Sequence, residues 1–131
     1  MAALQADGVE VVMLTGDHER TARAVAQSLK LDDVIAGVMP DGKATVVAKY
    51  VDAGRIVAMA GDGINDAPAL AAADVGIAVA GATDLARLTA DVAILGGDLA
   101  AVPWLLRHAR GVRRVALQNL AWAFGYNLVA V

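Results

Sequence analysis

Five short apolar runs, separated by helix-like patterns, constrain this chain more than any other feature. They are Val9-Glu-Val-Val-Met-Leu14, Val34-Ile-Ala-Gly-Val38, Arg55-Ile-Val-Ala-Met-Ala60, Val75-Gly-Ile-Ala-Val79 and Val92-Ala-Ile-Leu95. The first is mostly apolar on both faces, as a central parallel strand must be when both sides of its sheet are covered. Between the runs the period changes. Ala22, Val25, Ala26 and Leu29 recur at helical spacing across residues 19–30, and Ala44, Val47, Ala48 and Val51 repeat the pattern from Pro40 until Gly54. Shorter helices are expected over 67–73 and from Thr83 to Ala90, and residues 1–7 read as the end of a helix closed by Gly8. The order βαβαβαβαβ predicts an α/β fold, a doubly wound parallel sheet with right-handed crossovers.

The chain of 131 residues is 58% hydrophobic, enough for one domain with its own core. It has no cysteine, which excludes disulfides and thiolate metal sites built from these residues. The first seven residues show neither a basic region nor an apolar core, so no signal peptide is expected. Charge is uneven. All 14 acidic residues lie between Asp7 and Asp98, and beyond Asp98 the only charges are Arg107, Arg110, Arg113 and Arg114. Such asymmetry marks a change of surroundings along the chain. From Leu99 the pattern becomes one long helix, with Leu105, Ala109, Val112 and Ala116 on one face and Arg107, Arg110 and Arg114 opposite. Residues 115–131 are apolar except for Gln118, Asn119, Tyr126 and Asn127. Seventeen residues stand at the lower limit for a span, which takes about 20. The expected organisation is therefore an α/β domain over 1–98, an amphipathic basic linker helix over 99–114 and a truncated transmembrane helix over 115–131.

Three polar clusters follow predicted strands on one side of the sheet, where open α/β sheets place their ligands. Asp62 and Asp66 stand in Ala60-Gly-Asp-Gly-Ile-Asn-Asp-Ala-Pro-Ala-Leu70, at the carboxyl end of the third run. Two carboxylates suit Mg²⁺, which takes one or two of them with phosphate oxygens and water; the plainer reading is capping and turn formation. Thr15-Gly16-Asp17 offers a hydroxyl and backbone N–H groups that suit an anion, or a simple helix cap. Lys43 falls at a helix start, where a cation opposes the helix dipole unless an anion is near. Alone it is an ordinary surface lysine.

The eleven-residue string resembles the hinge motif of P-type ion-pumping ATPases, members of the haloacid-dehalogenase-like superfamily. The resemblance implies that Thr15 binds the phosphoryl group, Lys43 neutralises an aspartyl phosphate and Asp62 ligates Mg²⁺. Asp66 and Asn65 would complete or support that site, and Gly16 and Asp17 would face ATP. The family's nucleophile, an Asp in an Asp-Lys-Thr-Gly-Thr string, does not occur in this sequence. The resemblance therefore implies that residues 1–98 are a partial phosphorylation domain of the haloacid-dehalogenase-like type, its nucleophile strand missing. In the family that strand sits between the strands read here at 9–14 and 55–60, so those two either pair directly or leave a gap. The tail is similar to copper-type heavy-metal pumps, which carry a Tyr-Asn pair matched here by Tyr126-Asn127, candidate contacts for the transported ion. The implied parent couples ATP hydrolysis to metal movement across a membrane, with this domain on the cytoplasmic side. Its partners would be membrane lipid, the rest of the pump and Cu(I), and no nucleic acid. The alternatives are a soluble phosphatase of the same superfamily, and a non-catalytic interaction module or decayed gene fragment.

Overall fold

The computed structural model describes every residue except Gly63, Ala80, Gly97 and Val131, and the side chains of all described residues except Ile64, Val129 and Ala130. One glycine of the hinge string, one of the expected Gly96-Gly97 break and the last residue of the expected span therefore lie outside the described residues. The chain divides into two compact units, Met1–Leu99 and Ala100–Val131.

In the first unit helices and strands alternate from end to end. A short helix α1 (Ala2–Ala6) leads to β1 (Val12–Leu14), α2 (Glu19–Leu29), β2 (Asp33–Ile35) and α3 (Pro40–Asp52). Then come β3 (Ala58–Gly61), a 3-10 turn (Ile64–Asp66), α4 (Ala67–Ala72), β4 (Val75–Ala78), α5 (Asp84–Thr89) and β5 (Val92–Ala93). Local chemistry sets the ends of α3. Pro40, with no N–H to satisfy, occupies its first turn. Gly54 closes it at φ +79°, a left-handed conformation in which a Cβ would be strained.

All strand pairs are parallel, as the run pattern predicts. The sheet, however, is in two pieces. One has the order β1-β2 and the other β3-β4-β5, and among the described residues no ladder joins β1 to β3. Of the two outcomes expected for those strands, the gap is the one observed. The core sits on the larger piece, where Leu70, Ala78, Ala82 and Ala86 are buried together with Met59 and Ala90 against them. Alanine dominates because the layers approach closely. A Cβ on Gly76 of β4 would stand 2.9 Å from the carbonyl oxygen of Leu70.

Register in each piece is fixed by one repeated device. Asp32, Asp74 and Asp91 stand immediately before β2, β4 and β5 and turn their carboxylates onto the neighbouring strand's backbone. Asp32 Oδ2 accepts from the Val11 N–H at 2.6 Å, Asp74 Oδ2 from Val57 at 2.8 Å, and Asp91 Oδ2 from Gly76 at 2.8 Å. In each case the aspartate is at the position directly opposite its donor, by extension of the ladders Val12 to Asp33, Ala58 to Val75 and Ile77 to Val92. A slip of one residue would turn every side chain of the strand to the wrong face, and each clamp opposes that slip.

The second unit is one helix, α6 (Ala101–Ala130), about 45 Å long at 1.5 Å per residue. The linker and the expected membrane segment are thus one uninterrupted helix. Trp104 and His108 stack on it, with ring centroids 5.0 Å apart. Among the described residues no helix is long and apolar enough to cross a membrane. The arginines in the first half of α6 and Gln118, Asn119 and Asn127 in the second keep it below that mark, so a span confined to 115–131 gains no support.

Candidate functional site

The ends of β1 and β3 position the polar clusters named above. After β1 the chain turns through Thr15-Gly16-Asp17 into α2, and the turn is tied to the loop after β2. Thr15 donates its N–H to Ile35 O at 3.0 Å, and its own carbonyl accepts from Val38 N–H at 3.1 Å. The Thr15 hydroxyl accepts from the Asp17 N–H at 3.1 Å and donates to Asp17 Oδ2 at 3.0 Å. The threonine therefore closes its own turn, and the residue capping α2 is His18, with no side-chain capping bond. Val38 carries the link onward: its Cγ1 lies 3.2 Å from where a Cβ on Gly42 would sit, one residue before Lys43.

Lys43, in the first turn of α3, reaches across to the 3-10 turn after β3. Its Nζ lies 2.7 Å from Asp66 Oδ1, and the two side chains are only 18% and 11% exposed. Asp66 itself is buried, the one charged side chain among the described residues that is. The ion pair answers the objection to a lysine at a helix start, because the carboxylate supplies the anion that the dipole argument requires. Gly61 makes room for it. A Cβ there would meet Asp66 Cβ at 2.8 Å and Oδ2 at 2.9 Å, so glycine at the end of β3 is what lets Asp66 fold back over the strand.

Asp62 is arranged differently. It is exposed, its carbonyl accepts from the Thr83 N–H at 3.1 Å, and its carboxylate makes no hydrogen bond or ion pair among the described residues. Asn65 is exposed in the 3-10 turn. The structure thus brings Lys43 and Asp66 into contact, sets Asp62 on the loop beside them, and keeps Thr15, Gly16 and Asp17 in one hydrogen-bonded turn. Tyr126 and Asn127 are both exposed on α6, in the other unit. Sequence reasoning treated Lys43 and Asp66 as separate groups serving phosphate and metal, and missed their pairing. It also missed Asp32, Asp74 and Asp91, whose one signal was an aspartate one or two residues ahead of an apolar run.

The donor set tests a metal directly. Among the described residues no three His, Cys, Asp or Glu side chains cluster in a way that could hold one. Among the described residues Asp62 offers a carboxylate without a competing cation, whereas Asp66 already carries Lys43 on one oxygen. That set fits Mg²⁺ as part of a shell shared with phosphate oxygens and water, the usual condition for this ion.

Residues 1–74 match the family described as haloacid dehalogenase-like hydrolase. The chain belongs to that family. Within the haloacid dehalogenase-like hydrolases its likeness is to ion pumps. A copper-exporting P-type ATPase of Staphylococcus aureus (strain JH9) is 48% identical over 124 residues, which is 95% of this chain and 16% of that protein. A zinc-transporting PIB-type ATPase, solved in its E2.Pi state, superposes with a TM-score of 0.88 and 41% identity over 95% of this chain and 20% of its own. A CPx-ATPase catalytic domain superposes at 0.73, with 30% identity over 78% of this chain and 40% of that one. The chain therefore spans about a sixth of the curated relatives it matches.

Proposed function

We propose that this haloacid dehalogenase-like chain supplies the phosphate- and magnesium-binding half of the phosphorylation domain of an ATP-driven heavy-metal pump, with Cu(I) as cargo. The observation that carries the reading is the Lys43–Asp66 ion pair, held beside Gly61 and close in sequence to Asp62, whose carboxylate has no partner among the described residues. An ammonium fixed by a buried carboxylate is preorganised towards charge that develops on a transferring phosphoryl group, and such preorganised charge is a principal source of rate enhancement. In this reading Asp66 is a positioning residue for Lys43. Asp62 would hold Mg²⁺, which when bound neutralises phosphoryl oxygens. Thr15 would turn its hydroxyl from Asp17 to the phosphoryl group, and the Gly16 N–H and Asp17 would face ATP, with Asn65 supporting the metal loop. The sequence contains no Asp-Lys-Thr-Gly-Thr string, so the covalent step falls to an aspartate outside these residues, and this chain alone does not turn over ATP.

Copper as cargo is supported by the 48% likeness to copper exporters and by Tyr126-Asn127. Phenol and amide oxygens are harder than the thiolates Cu(I) selects, so the pair would supplement sulfur ligands elsewhere in the pump. The helix carrying them would run to the membrane, with Arg107 to Arg114 at the cytoplasmic headgroups. The test uses the intact pump. Lys43→Met should abolish phosphoenzyme formation from ATP, and Tyr126→Phe with Asn127→Leu should lower Cu(I)-stimulated phosphorylation while leaving nucleotide binding unchanged. Full phosphorylation in the lysine variant overturns the site; unchanged copper stimulation overturns the cargo assignment.

A further inference from the structure

The two carboxylates after β3 are held by different means. Asp66 is held through its side chain, by Lys43. Asp62 is held through its main chain, and the donors come from the segment that follows β4. Val79 donates its N–H to Gly61 O at 3.0 Å, at the end of the β3–β4 ladder, and Thr83 donates its N–H to Asp62 O at 3.1 Å. Two consecutive carbonyls are thus tied, while the Asp62 carboxylate has no partner among the described residues.

The donor segment is itself anchored. Ala82 donates its N–H to Val79 O at 2.9 Å. Ala82 and Ala86, before and after Thr83, are buried in the core with Leu70 and Ala78. The Thr83 hydroxyl accepts from the Ala86 N–H at 3.3 Å and so caps α5. The two polar groups of Thr83 therefore have separate tasks: the hydroxyl serves α5, and the N–H serves Asp62.

We propose that Thr83 is a positioning residue for the magnesium carboxylate. Its backbone N–H fixes the Asp62 peptide to the core, so that the loop is held without using the Asp62 side chain. The inference rests on the assignment of Asp62 to Mg²⁺ made above. A carboxylate that closes its own turn, as Asp17 does with the Thr15 hydroxyl, must give up a bond before it can take a cation. Asp62 has no such bond to give up, because the main-chain tie replaces it. Groups that orient a ligand add to metal affinity although they never touch the ion, and losing one costs about 10–100-fold.

The test uses the full chain in mild detergent, titrated with Mg²⁺ at fixed inorganic phosphate and followed by backbone amide NMR. Thr83 has φ −63°, the angle a proline ring imposes, so Thr83→Pro removes the N–H without turning the backbone at that bond. Thr83→Val keeps the N–H and removes the hydroxyl. The proline variant should raise the Mg²⁺ dissociation constant about tenfold, and the valine variant should leave it nearly where it was. A second measurement needs no substitution. In the unmodified chain, Mg²⁺ at about ten times its dissociation constant should slow hydrogen exchange at the Thr83 amide about tenfold, and should slow the Ala86 amide far less. An unchanged constant in Thr83→Pro, an equal rise in Thr83→Val, or no greater slowing at Thr83 than at Ala86 overturns the proposal. The exchange result decides alone if the proline variant does not fold. Asp62→Asn separates the two levels of the argument. If it binds Mg²⁺ as the unmodified chain does, or if neither binds, the metal assignment falls and takes the proposal with it. If it loses Mg²⁺ and Thr83→Pro does not, only the proposal falls.

Discussion

Replacing Asp66 by Asn tests the central ion pair at its most sensitive point. The substitution keeps the shape of the side chain and leaves the Lys43 ammonium at 18% exposure without a counter-charge. Breaking a buried pair by removing one partner costs about 3–5 kcal/mol. Lys43 retains some water, which brings the cost just below that range, to about 2–3 kcal/mol. For a unit of roughly 100 residues each kcal/mol shifts the melting midpoint by about 4–8 °C, so the loss should be on the order of 10–20 °C. Lys43→Met should cost at least as much, because the Asp66 side chain, 11% exposed against 18% for Lys43, is the more deeply buried partner. The double variant Lys43→Met with Asp66→Asn removes both charges and should recover part of the loss. The assay is urea unfolding of the four proteins, followed by circular dichroism and analysed as a double-mutant cycle. A coupling energy below about 0.5 kcal/mol would refute the argument, since it would mean that solvent supports each charge as well as its partner does.

The close approaches give further tests. Gly76→Ala places a methyl 2.9 Å from a backbone oxygen that has no freedom to move, and should destabilise by about 1–3 kcal/mol, measured by thermal melting. Gly61→Ala should shift Asp66 by pressing on it at 2.8 Å and so weaken the Lys43 contact, seen as a smaller effect of a subsequent Lys43→Met. Asp91→Ala should cost about 1–3 kcal/mol through the orphaned Gly76 N–H, with faster exchange at that amide as the direct readout. The purified chain should release no phosphate from ATP above background. Hydrolysis that Asp62→Ala abolishes would show that a nucleophile is present after all.

Element type and order were legible because apolar runs and helical spacing are local signals, and the five runs correspond to β1–β5 in sequence. Strand length was less so. The run 9–14 yields only Val12–Leu14, and 92–95 only Val92–Ala93, because ladder length depends on how far a neighbour extends, which no single run encodes. The site was legible as a set of residues, through Asp62, Asp66, Lys43 and Thr15, but its wiring was not. Lys43 and Asp66 are separated by 23 positions, and their contact depends on α3 packing beside the turn after β3. The aspartates ahead of the strands were hidden by their composition, since Asp before an apolar run reads as an ordinary turn residue.

The three aspartate clamps also bear on the order in which the chain assembles. They join residues 21, 17 and 15 positions apart, whereas Glu10 and Arg55 are 45 apart. Loop closure costs more entropy as the loop lengthens, and contacts between distant positions form more slowly. Each parallel pair therefore carries a short-range latch that sets its alignment before the rest of the chain has come together. The two pieces are self-registering modules, and their meeting, through α3 against α4, the Lys43–Asp66 pair and the Glu10–Arg55 ion pair, is the later event.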